Sequence, residues 1–195
     1  GRLIMENRQI VLKRRPAGAP VPEDFGAAAS PMPIVAQDGI LVRNTYLSVD
    51  PSLRPRMNET SAYAGAVGLG EVIPSPAIGV VVESQSFGWQ EHAAVPADGV
   101  RLIDVTRAPE PKWLSLLGLS AFTAWVGVTE LGQPKPGETL VVSAASGATG
   151  AVVGQIARIL GARAVGIAGG PEKCDYVVRE LGFDACVDHR APDFL

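Results

Sequence analysis

The stretch from Thr139 to His189 constrains the fold most. "TLVVSAA" is a strand-like apolar run, "ATGAVVGQIARILG" has apolar residues at helical spacing, and "ARAVGIAG", "PEKCDYVVRELG" and "DACVDH" read as strand, helix and strand. The links between them are short. Parallel neighbours cannot be joined by a tight turn, so β-α-β-α-β demands a parallel sheet with helical crossovers. Only three strands are present. Such a sheet has an open edge, so the chain is expected to be a fragment of a longer one or to pair that edge with something else.

The first strand–helix junction carries a glycine loop. Ala145-Ser146-Gly147-Ala148-Thr149-Gly150 fits G-x-G-x-x-G with alanine first, and Ala144-x-x-Gly147-x-x-Gly150 fits its AxxGxxG form. Gly147 lets backbone approach a pyrophosphate, Gly150 lets helix pack on strand, and the helix N-terminus offers free N–H groups and a positive dipole end. Gly154 continues the small face of the helix. The motif alone is weak, but here it follows a strand and opens a helix, the context that supports it. The alternative is a tight turn in an unrelated α/β protein.

An NAD site places Asp or Glu about 20 residues further on, at the tip of the second strand, to hold the ribose 2′-OH. That tip is Gly169-Gly170 here, with no carboxylate, and Lys173 follows at the start of the next helix. Without the carboxylate a 2′-phosphate meets no repulsion, and lysine attracts it. NADP is therefore favoured over NAD. Glu172 beside Lys173 weakens the electrostatic case, and a solvated helix lysine is the plainer alternative.

The region ahead of residue 112 reads as β-rich. "QIVLKRR" alternates apolar and polar, "GILVRNTYLSVDP" starts as a strand and breaks at Asp50-Pro51, and "AIGVVVES", "WQEHAAVP" and "GVRLIDV" are further strands. Frequent Pro and Gly suggest a small, partly open barrel. "KWLSLLGLSAFTAWVGVTELG" then reads as helix, broken near Gly118. The 195 residues suffice for one large domain or two small ones, and 47 % apolar content makes a core easy to bury. The net charge of −3, with no basic run, gives no nucleic-acid footprint. No apolar run reaches the ~18 residues of a membrane span, and no signal peptide is visible. Gly1 to Ile4, ahead of Met5, are expected to be foreign to the fold. Two cysteines, Cys174 and Cys186, without a CxxC suggest a reduced, cytoplasmic protein. His92 and His189 belong to no cluster with metal spacing, so no metal is expected.

The stretches "NRQIVLKRRPAGAPVPEDF", "VRNTYLSVDPSLRPRM", "LGLSAFTAWVGVTELGQPKPGETLVVSAASGATGAVVGQIARILGARAVGIAGGPEKC" and "ELGFDACVD" cover most of the chain. Together they resemble the zinc-independent medium-chain dehydrogenase/reductase superfamily, and within it the NADP-dependent alkenal and prostaglandin reductases. The resemblance implies a GroES-like β-barrel over residues 1–120, followed over 121–195 by the first half of a Rossmann-type doubly wound sheet. It implies hydride transfer from NADPH to the β-carbon of an α,β-unsaturated aldehyde or ketone. Donors would stabilise the developing enolate, and the α-carbon would then be protonated.

Carried over by position, Gly147, Ala148, Thr149 and Gly150 match the family's pyrophosphate loop, and Lys173 its 2′-phosphate lysine. Thr123 in "SAFTAW" matches a threonine near the nicotinamide, though a plain helix-face residue is the alternative. His189 stands where many relatives have a tyrosine that reaches the adenosine phosphate; it is equally well a surface residue. Ser52 replaces an aromatic residue that shapes the substrate pocket of many relatives. Tyr46 and Tyr63 could compensate, although Tyr46 reads more readily as a core strand residue.

Two further departures concern length. Relatives have a longer segment between Ser86 and Phe87, with a Gly-Asp turn and a barrel strand, so a stretch is expected to be absent there. They also continue beyond Leu195 through an active-site tyrosine and the nicotinamide site, so no catalytic residue is assigned. A homodimer through the nucleotide-domain sheet edge is the assembly the family suggests. The competing readings are an NADPH:quinone reductase and a non-catalytic NADP-binding protein. Leu47-Ser48-Val49-Asp50, where quinone reductases have Asn-Pro-Val-Asp, favours the double-bond reductase.

Overall fold

A computed structural model describes residues 6–61, 64–79 and 82–194. The chain divides into two compact units, Gly1–Leu114 and Ser115–Leu195.

In the first unit, β1 (Glu6–Leu12) and β2 (Phe25–Pro31) pair antiparallel along their whole length, from Glu6 opposite Pro31 to Leu12 opposite Phe25. A second, curled antiparallel sheet contains β3 (Gly39–Leu47), β4 (Ala77–Gly79), β5 (Val82–Ser84), β6 (His92–Pro96) and β7 (Arg101–Leu102), in the order β6-β3-β4-β5-β7. The Asn7 side chain ties β1 to the start of β6. Its Oδ1 accepts from His92 N at 2.8 Å, and its Nδ2 donates to His92 O at 2.9 Å and Gln90 Oε1 at 3.0 Å. Asn7 is fully buried, so these bonds also remove the cost of desolvating its amide. Leu12, Leu53, Met57, Val67 and Ile73 form one apolar cluster, and Val42, Ala77, Phe87 and Ala93 another.

The sequence reading of this unit needs two corrections. "AIGVVVES" is not one strand but the paired strands β4 and β5, with Ala77 opposite Ser84 and Gly79 opposite Val82. Gly79 is the one break in an otherwise apolar, β-branched stretch, and a lone glycine is a weak signal for a reversal. β2 was not anticipated, because its "FGAAASP" lacks the β-branched residues that mark strands; pairing with β1 holds it. Short helices α1 (Leu53–Arg56) and α2 (Glu110–Leu114) and the 3-10 turns Pro22–Asp24 and Ala97–Gly99 also lie in this unit.

In the second unit, α3 (Leu119–Val126) starts after Gly118, whose extended backbone ends the preceding segment at the expected break. A π-helical turn, Gly127–Gly132, extends α3. Then follow β8 (Thr139–Val142), α4 (Ala148–Ile159), β9 (Arg163–Ala168), α5 (Pro171–Arg179) and β10 (Ala185–Asp188). The strands are parallel in the order β10-β9-β8, the arrangement of the first half of a Rossmann sheet. Val142, Ala145, Ala157, Ala164, Val177 and Phe183 are among the residues of its core. The α3 helix packs on α4 through Ala124, Val128 and Ile156. Among the described residues β8 has one neighbouring strand, and Val141 on it is 58 % exposed.

Candidate functional site

The turns after β8, β9 and β10 all lie at the carboxyl end of the parallel sheet, where ligands of such folds bind. These turns and the helix starts that follow them carry Gly147 to Gly150, Lys173 and His189 respectively.

After β8 the chain turns sharply. Ala144 adopts a left-handed backbone, φ 48°. For an L-residue with a Cβ this costs roughly 1 kcal/mol. The Ala144 carbonyl accepts from Gly147 N at 2.8 Å, and Gly147, extended at φ −80° and ψ 168°, caps α4. The amides of Ala148, Thr149 and Gly150 have no acceptor within the helix, and none donates to another described group. A Cβ on Gly150 would lie 2.4 Å from the Ala144 oxygen and 3.0 Å from the Ala145 Cα. The helix therefore closes on the loop only because position 150 is bare. Further along, a Cβ on Gly154 would sit 1.9 Å from the Phe183 ring, which fills that notch. Three free amides at the head of a 12-residue helix suit an anion.

Gly170, φ 97°, caps α5, and Lys173 lies exposed in the first turn of that helix. One carboxylate joins this turn to the end of β10: Asp188 Oδ1 accepts from Gly170 N at 2.7 Å and from Arg190 N at 2.9 Å. The amides of Arg190 and Gly170, aided by the charges of His189 and Arg190, hold the Asp188 carboxyl below the usual carboxylate range. His189 N donates to Ala168 O at 3.0 Å, and its ring lies edge-on to Phe194 at 6.5 Å. A Cβ on Gly169 would meet His189 Nε2 at 2.9 Å and Arg190 Nε at 3.0 Å. Both side chains thus cover the strand tip where an NAD-binding chain would put its carboxylate.

Thr123 is exposed on α3, its Oγ1 donating to Leu119 O at 2.8 Å, which leaves the oxygen's lone pairs open. Tyr46 and Ser52 belong to the other unit. Tyr46 is 42 % exposed beside a register shift in β3, so it is not a core residue. Ser52 precedes α1 and its amide donates to Asp50 Oδ1 at 2.8 Å. An open cavity of about 690 Å³ in this unit is lined by Arg8, Gln9, Asn44, Thr45 and Trp89 among others, but not by Tyr46 or Ser52. Tyr63 lies outside the described residues. The pKa of the Cys186 thiol is pushed up to about 12, first by burial and then by Cys174. Among the described residues no three His, Cys, Asp or Glu side chains gather as a metal site, and no helix is long and apolar enough to cross a membrane.

Sequence reading missed Asp188, Arg190 and Phe183. The signal for the first two was "DHR" at the end of a strand, which carries no pattern of its own, and Phe183 had none.

An antiparallel unit followed by a three-stranded parallel unit with a glycine loop defines an α/β chain of the dinucleotide-binding class. Residues 8–103 match the family described as the N-terminal domain of oxidoreductase. The NADPH-dependent curcumin reductase of Escherichia coli is 41 % identical over 208 positions, covering 100 % of this chain and 60 % of that protein. The NADP(+)-dependent 2-alkenal reductase of Nicotiana tabacum is 32 % identical, covering 95 % of this chain and 59 % of that one. The crystal structure of CurA in complex with NADPH from Vibrio vulnificus superimposes with a TM-score of 0.84 at 41 % identity, over 96 % of this chain and 59 % of that one. The chain belongs to the zinc-independent medium-chain dehydrogenase/reductase superfamily, in its NADP-dependent alkenal reductase-like family. It spans 58–60 % of the length of these curated relatives and of an oxidoreductase of Bacillus subtilis. An alignment of 208 positions against 195 residues also means that the curcumin reductase has internal residues with no counterpart here.

Proposed function

We propose that this chain serves the NADPH-dependent reduction of the carbon–carbon double bond of α,β-unsaturated aldehydes or ketones. One observation carries the reading: a bare-glycine turn that leaves three helix amides free stands beside a strand tip that has no carboxylate and leads to Lys173. The curcumin and 2-alkenal reductases named above support it.

In this reading the amides of Ala148, Thr149 and Gly150 hold the pyrophosphate, with Gly147 admitting it. Lys173 attracts the 2′-phosphate, and His189 donates from the end of β10. Thr123 offers its lone pairs on the nicotinamide side, and Tyr46 and Ser52 border the substrate. NADPH, when bound, supplies the hydride, while the chain supplies position and field.

The test is a panel of enals, enones and quinones offered to the purified protein with NADPH, following loss of NADPH absorbance. Turnover of enals or enones is expected. Turnover of quinones alone would make it a quinone reductase. Tight NADPH binding with no oxidation by any of them would make it a non-catalytic binding protein.

A further inference from the structure

We infer that Arg190 is a second cation for the 2′-phosphate of the cofactor, and that Gly169 is bare to make room for it. The inference rests on the NADPH reading and names a residue of that same site. Position 169 follows the last residue of β9, and Arg190 lies two residues past the end of β10. The two come together because β9 and β10 are parallel neighbours that end side by side, with Asp188 paired to Ala168. The Arg190 side chain then crosses to the β9 tip, its Nε 3.0 Å and Cζ 3.3 Å from where a Cβ on Gly169 would stand.

The backbone beneath it is held. Asp188 Oδ1 accepts from the backbone amides of Arg190 and Gly170, so the backbone that carries the guanidinium and the cap of α5 share one anchor. Among the described residues the guanidinium makes no salt bridge, whereas Arg8, Arg14, Arg101, Arg158 and Arg179 each do. Arg190 is exposed and presents a planar fork suited to phosphate oxygens. In sequence the nearest negative charges are Asp188 and Asp193 around Arg190, and Glu172 and Asp175 around Lys173. Asp188 Oδ1 already accepts from two amides, and the Arg190 charge, which acts on Asp188 without a salt bridge to it, helps offset these carboxylates when a doubly charged phosphate enters. A side chain at 169, of either charge, would displace this arrangement.

The experiment measures binding of adenosine 2′,5′-bisphosphate and of 5′-AMP to the 195-residue chain by calorimetry, so no turnover is needed. The unaltered chain should prefer the bisphosphate. Arg190→Ala should weaken the bisphosphate by about 10- to 100-fold and leave 5′-AMP unchanged, as expected for losing charge-assisted bonds to one phosphate. Gly169→Ala should reduce the same preference by a smaller factor. If the unaltered chain shows the preference and Arg190→Ala keeps it, the inference is overturned while the NADPH reading stands. Equal losses for both ligands would mean stacking on the adenine and would also overturn it. An unchanged preference in Gly169→Ala overturns the space-making role. No preference in the unaltered chain overturns the NADPH reading itself, and this inference with it.

Discussion

The carbonyl oxygen of Ala144 stands 2.4 Å from the point a Cβ on Gly150 would occupy. Both atoms that would collide belong to backbone or directly to it, so no rotamer change relieves them. Gly150→Val should open the loop and misdirect the three amides that follow Gly147. Affinity for NADPH should fall about ten-fold or more, as for lost bonds to a charged group. Titration of NADPH fluorescence checks this, with circular dichroism to confirm that α4 persists. Unchanged affinity would sink the cradle.

Lys173 offers a point charge at the head of α5. Lys173→Ala should raise the apparent KM for NADPH about ten-fold and that for NADH less than two-fold. The two cofactors differ only in the 2′-phosphate, so equal effects on both would remove the assigned role.

Asp188 binds two amides as a carboxylate, which lowers its pKa in the folded chain. A depressed pKa stabilises the fold fully above the unfolded carboxylate range, near pH ~4. The contribution is lost as pH falls through the lower folded value. Thermal unfolding across that acid range should therefore show a loss of Tm, and Asp188→Ala should show a shallower one. Parallel slopes for the two proteins would count against the clasp.

Phe183 occupies the notch left by Gly154, with ring atoms 1.9 Å from a notional Cβ. Alanine would improve helix propensity by about 1 kcal/mol, but overpacking costs about 1–3 kcal/mol and should outweigh it. Gly154→Ala should be destabilised in denaturant unfolding, and Phe183→Leu in the same chain should recover part of the loss. Simple additivity of the two changes would show that they do not interact.

The second unit was the more legible in sequence because each of its elements has a period. Residues 139–188 alternate β-branched runs and 3.6-spaced helices, and every one of the five elements forms where that pattern lies. The first unit depends on partners instead. β2 is mostly Gly, Ala and Ser and is a strand because β1 lies against it, and in "AIGVVVES" a single glycine, Gly79, at the end of β4 is the sequence's one sign of the reversal. The tight glycine turn that opens α4 could be read because glycine spacing reports local backbone need. The cover on Gly169 could not, since it comes from the next strand over and depends on two strands ending together.

The bare face at Gly154 also acts as a key. An α-helix turns about 100° per residue, so a rotation of α4 by one position would swing its leading amides well away from their present direction. Phe183 in the notch permits one rotational setting of the helix. Gly154 lies one turn below Gly150 on the same face, so aim at the mouth of the cradle is governed from a residue that no ligand there would touch.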